Sequence, residues 1–128
     1  MKLTLKTDYS LRVLTFLQME EKATIKEIAE FYKIKKNHLS VVVNRLSELG
    51  YITSTPGPAG GIFLNKSALN ISLSEVLIQF EDLTLVECFD SKSNTCRLSP
   101  GCKLKSYLHK AQKSFLDELG QYKIKDLV

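Results

Sequence analysis

The sequence predicts a mainly α fold that contains one small β-hairpin and ends in a long helix. Apolar residues recur at spacings of three and four over most of the 128 residues, which is the period of helices that bury one face. The exception is a pair of β-prone runs on either side of the Pro- and Gly-rich segment 56–61. With 44% hydrophobic residues, a chain of this length is able to bury the core of one ordinary domain.

The first two helices follow from their capping residues and apolar positions. Thr7 and Asp8 are predicted to cap a first helix that ends near Met19. Thr24 and Glu27 have the spacing of a capping box, in which each side chain accepts a hydrogen bond from a free backbone amide, so a short second helix follows. The apolar positions are Tyr9, Val13, Phe16 and Leu17 in the first helix, and Ile28, Ala29 and Phe31 in the second.

A third helix is predicted from Lys36 until Gly50 supplies a C-terminal cap. The turn before it, residues 32–35, has the length found in a helix-turn-helix. Its apolar stripe is Leu39, Val42, Val43, Leu46 and Leu49. The polar side chains that suit phosphates and base edges are Lys35, Lys36, Asn37, His38, Ser40, Asn44 and Arg45. An ordinary solvated helix face has a similar composition, so these residues alone leave both interpretations open.

The β-prone runs 51–55 and 62–64 predict a hairpin directly after the third helix. A hairpin at this place is the wing of a winged helix-turn-helix, a DNA-binding architecture in which the third helix enters the major groove. Gly60, in the tight turn, is therefore added to the candidate DNA contacts. The alternative is a hairpin that only closes the domain, and the wing makes DNA binding the favoured interpretation.

The second half of the chain combines two helices with an irregular segment. Ser72 and Glu75 form a second capping box, which opens a helix with Leu73, Val76, Leu77 and Phe80 on one face. Residues 82–99 show no period. Ser99 as N-cap and Pro100 as first helical residue are predicted to start a long helix, with Cys102 in its first turn. Leu104, Leu108, Ala111, Phe115 and Leu119 then form a stripe suited to dimerisation.

Charge divides the chain into two predicted units. Residues 1–66 hold 10 basic and 6 acidic side chains, whereas 67–128 hold 8 of each, so the net charge of +4 lies in the first unit. We expect a DNA-binding domain over 1–66 and a cofactor-binding loop with a dimerisation helix over 67–128. No apolar run reaches a membrane-spanning length and no signal peptide is evident, which predicts a cytoplasmic protein. No enzyme is expected, because no catalytic arrangement or phosphate loop is recognisable.

The three cysteines are the other chemistry-bearing residues. Cys88, Cys96 and Cys102 are separated by seven and five residues. Structural zinc sites usually use closer pairs, whereas iron–sulfur clusters accept wider spacings. A helix N-terminus beside Cys102 would stabilise a thiolate, as both a metal ligand and a reactive thiol require. On spacing alone, cluster ligands, redox-active thiols and three unrelated thiols all remain possible.

Several segments, taken together and in order, resemble a known family over essentially the whole chain. They are Leu3-Thr4, Thr7-Asp8-Tyr9-Ser10-Leu11-Arg12, Lys36-Asn37-His38-Leu39, the glycines Gly57, Gly60 and Gly61, Leu85-Val86-Glu87-Cys88, Cys96, Ser99-Pro100, Cys102-Lys103-Leu104-Lys105, Ser114-Phe115-Leu116 and Asp126-Leu127-Val128. The family is the Rrf2 family of winged-helix regulators, and the likeness is greatest to its nitric-oxide-sensing repressors.

The resemblance implies a homodimeric repressor that holds one iron–sulfur cluster per subunit and leaves its operator DNA when the cluster is nitrosylated. It implies Cys88, Cys96 and Cys102 as ligands of a [4Fe-4S] cluster, with [2Fe-2S] as the alternative. A fourth ligand is implied at Asp8, supplied by the partner subunit; the alternative role of Asp8 is to stabilise a helix N-terminus.

The chain departs from many relatives at three places. Seven residues rather than five separate the first two cysteines, Pro56 and Pro58 occupy a wing tip that is commonly basic, and Lys105 stands where a [2Fe-2S] relative has His. The third departure favours [4Fe-4S], and the second places more of the DNA binding on the third helix. The competing function is a cluster-free, thiol-based redox regulator of the same fold. A metal-dependent enzyme or cluster carrier is disfavoured.

Overall fold

The computed structural model describes all of residues 1–128 and contains five α-helices and two strands. The helices are α1 (Leu5–Met19), α2 (Ile25–Tyr32), α3 (Lys36–Glu48), α4 (Leu73–Phe80) and α5 (Lys103–Leu119), and the strands are β1 (Ile52–Thr55) and β2 (Gly61–Leu64). Short 3-10 turns occupy Lys66–Ala68, Glu87–Phe89 and Ile124–Leu127. The mainly α winged helix-turn-helix predicted from the sequence is confirmed.

The start of α1 differs from the prediction. Thr4 is the N-cap, and its hydroxyl accepts a hydrogen bond from the amide of Thr7 at 3.4 Å. Thr7 and Asp8, predicted as caps, lie inside the first turn, so that prediction was wrong by about one turn. The hydroxyl of Thr7 instead donates to Glu81, the residue after α4. A partner so distant in sequence cannot be read from capping rules, which consider only neighbouring residues.

In the capping boxes of α2 and α4, the predicted hydrogen bond to the N-cap side chain is confirmed. Thr24 accepts a hydrogen bond from the amide of Glu27 at 3.1 Å, and Ser72 accepts one from the amide of Glu75 at 3.2 Å. The carboxylate of Glu27 accepts its hydrogen bond from the hydroxyl of Thr24, at 3.2 Å, rather than from a backbone amide. Both helices therefore begin where the sequence predicts.

The wing is a two-stranded antiparallel hairpin that is anchored to the segment before α2. β1 pairs with β2 from Ile52 opposite Leu64 to Thr55 opposite Gly61. Ala23 and Ile62 exchange two backbone hydrogen bonds of 2.9 and 2.7 Å. Ala23 thus forms an isolated antiparallel bridge to β2. A Cβ at Gly60 would lie 2.1 Å from the carbonyl oxygen of Thr55, which explains why the turn requires glycine there.

One hydrophobic core joins the two halves of the chain. Leu14 of α1, Ile28 of α2 and Leu39 of α3 are fully buried in it. Ile124, near the C-terminus, is also fully buried in this core, and its carbonyl accepts a hydrogen bond of 3.1 Å from Gln18 of α1. Packing therefore crosses residue 66, and the division of roles between 1–66 and 67–128 stays a prediction.

The long helix begins later than the sequence predicts. Cys102 is the N-cap of α5 rather than a first-turn residue, and Ser99 and Pro100 lie outside the helix. The reason is Gly101, whose φ of +95° is incompatible with a right-handed helix that would include it. The absence of regular helix or strand between α4 and α5 is confirmed apart from one 3-10 turn. None of the helices combines the length and apolar character needed to cross a membrane.

Candidate nucleic-acid interface and cysteine segment

Helix α3 presents one buried face and one polar face. Leu39, Val42, Val43 and Leu46 are buried against the rest of the domain. The candidate DNA contacts lie on the remainder of the helix surface, where Lys36, Asn37, His38, Asn44 and Arg45 are exposed, as is Lys35 at the N-cap. Ser40 is half-buried and donates its hydroxyl to the carbonyl of Lys36 at 2.8 Å. The structure thus brings together on one helix every candidate except Gly60, which lies in the wing.

The turn that orients α3 is locked by backbone geometry. Lys33 closes α2 in the left-handed region at φ +55°, and the amide of Ile34 donates to the carbonyl of Ala29 at 3.0 Å. Tyr32 donates its hydroxyl to the carbonyl of Arg12 in α1 at 3.0 Å. The first contact ends α2 at the turn that leads to α3, and the second attaches the end of α2 to α1.

Arg45 has partners of its own in the protein. Its guanidinium donates to the carboxylate of Glu48 at 3.4 Å and to the side-chain oxygen of Gln79 in α4 at 3.2 Å. The side chain is still 44% exposed, so donors of the guanidinium remain free for a phosphate. Arg45 therefore lies on the flank of α3 that faces α4, and it is the last of the candidates along the helix.

Val41 is a residue of this surface that the sequence analysis did not single out. It is 53% exposed, although valine is among the residues most often buried. The signal in the sequence is its spacing, four residues after Asn37 and three before Asn44, which places all three on one face of the helix. The polar surface of α3 thus contains one apolar position.

The wing tip is held in place by a lysine. Lys22 donates its ammonium group to the carbonyl of Ala59 at 2.8 Å. Gly60, the predicted DNA contact of the wing, is the next residue and is half-buried. The lysine therefore adds a positive charge close to a tip whose own residues are Pro, Gly and Ala.

The three cysteines lie on the segment between α4 and α5. Cys88 is in the 3-10 turn Glu87–Phe89, Cys96 follows in irregular backbone, and Cys102 caps α5. All three are free thiols and half-buried. Within one chain, no group of three or more His, Cys, Asp or Glu side chains is close enough to hold a metal ion. The three predicted cysteine ligands therefore lie on one segment, but within one chain they do not surround a common point.

Several contacts fasten this segment, and two of them involve residues next to Cys88. The ring of Phe89 stacks on the ring of His109 of α5, with centroids 3.8 Å apart and an interplanar angle of 3°. The hydroxyl of Thr95 donates to the carboxylate of Glu87 at 3.2 Å. The first contact attaches the Cys88 turn to α5, the helix that Cys102 caps.

The donor chemistry of the segment fits an iron–sulfur cluster. Three free thiols that are neither fully buried nor fully exposed are the ligand type that such clusters use. Lys103, Lys105 and Lys110 line an open groove together with Cys102, so positive charge lies beside the sulfur of Cys102. The N-terminus of α5 adds its partial positive charge at Cys102.

Asp8 forms a bidentate ion pair with Arg12. Arg12, one turn further along α1, donates from Nε to one carboxylate oxygen at 3.0 Å and approaches the other from Nη2 at 2.9 Å. The hydrogen bond to Asp8 raises the pKa of Arg12 above its ordinary value. The Asp8 side chain is 39% exposed, and it belongs to no potential metal-binding group within its own chain. The geometry leaves part of the carboxylate accessible from outside the chain.

The chain matches a known family over nearly its whole length. The Rrf2 family, described as iron-dependent transcriptional regulator, matches residues 3–128. The chain belongs to the Rrf2 family. Family membership makes it a DNA-binding transcriptional regulator of the winged-helix kind, which is what its fold and its α3 surface indicate.

Curated relatives of this Rrf2 protein share almost half of its residues. It is 48% identical to an HTH-type transcriptional regulator NsrR of Bacillus subtilis, over 100% of this chain and 90% of the relative. It is 46% identical to an HTH-type transcriptional regulator NsrR of Shouchella clausii, over 100% of this chain and 89% of the relative. Both matches span the whole chain, so they include the α3 surface and the cysteine segment.

Solved structures agree on the architecture. The oxidized form of Staphylococcus aureus CymR has a TM-score of 0.78 at 23% identity, covering 99% of this chain and 95% of that one. T. potens IscR has a TM-score of 0.77 at 22% identity, covering 99% of this chain and 85% of that one. At these identities the likeness shows the fold shared by the Rrf2 chain and these proteins.

Proposed function

We propose that this Rrf2 protein is a nitric-oxide-responsive iron–sulfur repressor that binds operator DNA as a homodimer in the cytoplasm. The observation that carries the proposal is the set of three free, half-buried cysteines on one segment, in a chain 46–48% identical to regulators named NsrR. The basic, polar surface of α3 supports the DNA-binding part.

The proposed cluster ligands are Cys88, Cys96 and Cys102, with Asp8 of the partner subunit as the fourth. We assign [4Fe-4S], with [2Fe-2S] as the alternative. When bound, the cluster supplies the iron that reacts with nitric oxide. The role of the protein is to hold three thiolates on one segment and to place lysines and a helix N-terminus beside them.

A homodimer would cover apolar surface that a single chain leaves open. Leu104 is 63% exposed and Phe115 is 36% exposed on the predicted dimerisation stripe of α5. Beside them, a groove of about 420 Å³ is lined by Leu77 of α4 and Leu108 of α5 among others. Exposed apolar side chains at helical spacing on α5 favour packing against a second helix.

The proposed DNA contacts are Lys35, Lys36, Asn37, His38, Ser40, Asn44 and Arg45 of the α3 region, with Gly60 of the wing. In a two-fold dimer, two such helices would contact half-sites about 34–36 Å apart. The operator is therefore proposed to be a near-palindrome. Asp8 would link the two activities, because it lies in the first turn of α1 and α1 packs against α3.

The test begins with protein purified and handled without oxygen. Iron and acid-labile sulfide are measured for the wild type and for C88A, C96A and C102A, alongside far-UV circular dichroism and DNA binding before and after nitric oxide. We expect a brown wild type whose operator affinity falls on exposure to nitric oxide. Each variant should lose iron and sulfide while keeping its helical signal. Full iron, sulfide and visible absorption in all three variants would contradict the ligand assignment.

The second candidate is a cluster-free regulator in which the thiols are oxidised reversibly. One observation favours it: within one chain, the three cysteines do not surround a common point. In this case, anaerobically purified protein would be colourless and would still bind DNA. Its affinity would change on treatment with peroxide or a disulfide and recover with a reductant, whereas nitric oxide would act only as a general thiol reagent.

A further inference from the structure

We propose that Val41 reads the C5-methyl group of a thymine in the operator and is a specificity-determining residue of the α3 surface. The proposal deepens the DNA-binding part of the proposed function and rests on it, but not on the cluster. Val41 is an exposed apolar residue on a helix whose other exposed side chains are all polar or charged.

The position of Val41 is set by helical spacing. Asn37, Val41 and Asn44 follow one another at intervals of four and three, so their side chains lie on one face. This face is opposite the stripe that contains Leu39 and Leu46, which are both fully buried. The valine is therefore at the middle of the surface that a recognition helix directs at the bases.

An exposed valine at this place is not explained by local stability. β-Branched side chains lose rotamer freedom in a helix and have lower helix propensity than Lys, Gln or Glu. Val41 remains 53% exposed, so half of its apolar surface is unburied in the free chain. A contact that buries this surface on binding would recover the hydrophobic contribution that the monomer leaves unused.

The side chains on either side of Val41 indicate which group of the DNA it contacts. In the major groove, the C5-methyl of thymine is the apolar group that base edges present, and asparagine pairs with N6 and N7 of adenine. Asn37 and Asn44 flank Val41, so this face combines two side chains suited to adenine with one suited to a thymine methyl. The face therefore matches a half-site rich in A·T pairs, in which every adenine brings a thymine on the opposite strand.

The competing role for Val41 is a protein contact. Its side chain also lines a shallow groove with Leu5 and Tyr9 of α1 and with His38. A second copy of the chain seated there would bury the valine without any base contact. The two roles differ in a measurable way, because only the first makes the effect of the valine depend on one methyl group in the DNA.

The experiment is a thermodynamic cycle between the protein and the DNA. The probe is a duplex that the wild-type protein selects from a randomised pool. Each thymine is replaced in turn by deoxyuridine, which removes only the C5-methyl, and Kd is measured by fluorescence anisotropy for the wild type, V41A and V41T. I78A serves as the matched control, because Ile78 on α4 is 47% exposed and lies outside the α3 surface.

We expect at least one thymine in each half-site where deoxyuridine weakens wild-type binding by about three- to tenfold. V41A should weaken binding to the unmodified duplex by a similar factor and show no further loss with deoxyuridine at that position. V41T keeps one methyl and should retain part of the sensitivity. I78A should respond to deoxyuridine like the wild type.

Three results would overturn the proposal. One is additive effects of V41A and deoxyuridine at every thymine, and another is an unchanged Kd for V41A. The third is a loss of the dimer in V41A, measured by analytical ultracentrifugation, which would assign the valine to a protein interface. Iron content and nitric-oxide response are measured separately, so failure of the cluster assignment leaves the cycle intact. A selection that enriches no sequence would refute operator binding itself, before any variant is made.

Discussion

The carboxylate of Glu81, directly after α4, accepts a hydrogen bond from the buried hydroxyl of Thr7 in the first turn of α1. The same carboxylate oxygen accepts from the amide of Thr4 at 3.0 Å and from its hydroxyl at 3.1 Å. Burial raises the pKa of Glu81, but these hydrogen bonds outweigh the burial and the net pKa is lowered. Glu81 thus ties the helix that carries Asp8 to the point where the cysteine segment begins.

Replacing Glu81 should loosen the start of α1. We expect E81A to reduce the free energy of unfolding by about 1–2 kcal/mol, because the buried hydroxyl of Thr7 loses its charged acceptor. Urea denaturation measures the change, and hydrogen exchange should be faster at residues 5–9. D82A is the matched control, since the Asp82 carboxylate accepts from Thr84 in its own loop and not from α1. Equal stability of E81A and D82A would contradict the prediction.

Glu81 should also contribute to the pH dependence of stability. Because its pKa is lower in the folded chain, the contribution is fully present above the ordinary value of 4.5 and is lost as the pH falls through the folded pKa. We expect wild type to be more stable than E81Q at pH 7 and the difference to shrink below about pH 4.5. Urea midpoints at pH 7, 5 and 3.5 measure it. A difference that is constant or grows toward low pH would show that the charge of Glu81 does not stabilise the fold.

Arg45 should contribute a phosphate contact from the flank of α3. R45A is expected to weaken operator binding and to reduce the slope of log K against log salt by about 0.9 for each phosphate that the protein no longer neutralises. Kd measured from 50 to 300 mM salt gives the slope. Q79A, which removes the partner of Arg45 in α4 but no charge, should leave the slope unchanged. Unaltered affinity and slope in R45A would remove this residue from the DNA interface.

Asp8 is tested by two substitutions in anaerobic protein. If Asp8 is a ligand, D8A and D8C should both change the visible spectrum of the cluster, and D8C should react more slowly with nitric oxide because a thiolate binds iron more firmly. Stopped-flow absorption measures the rate. R12Q is the matched control, because it breaks the ion pair with Asp8 while keeping the carboxylate. Unchanged spectra and rates in D8A and D8C would leave Asp8 with its ion pair and its place near a helix N-terminus.

The sequence by itself determined the order of the elements and the identity of most candidate residues. The boundaries of α2, α3 and α4 and the hairpin between 51 and 64 follow from capping pairs, helical spacing and turn residues, which act between residues close in the chain. The polar surface of α3 follows for the same reason, because a helix of known period assigns each residue to a face. The family resemblance likewise depends on residues in a fixed order.

Only the tertiary structure decided what Thr7 and Arg45 contact and which apolar residue of α3 stays exposed. Glu81 lies 74 residues from Thr7 and Gln79 lies 34 from Arg45, so no local pattern could reveal either pair. Val41 and Val42 are adjacent valines, yet one is exposed and the other is buried. The difference arises because α1 and α2 pack against one side of α3, and contacts between elements are set by packing rather than by propensity.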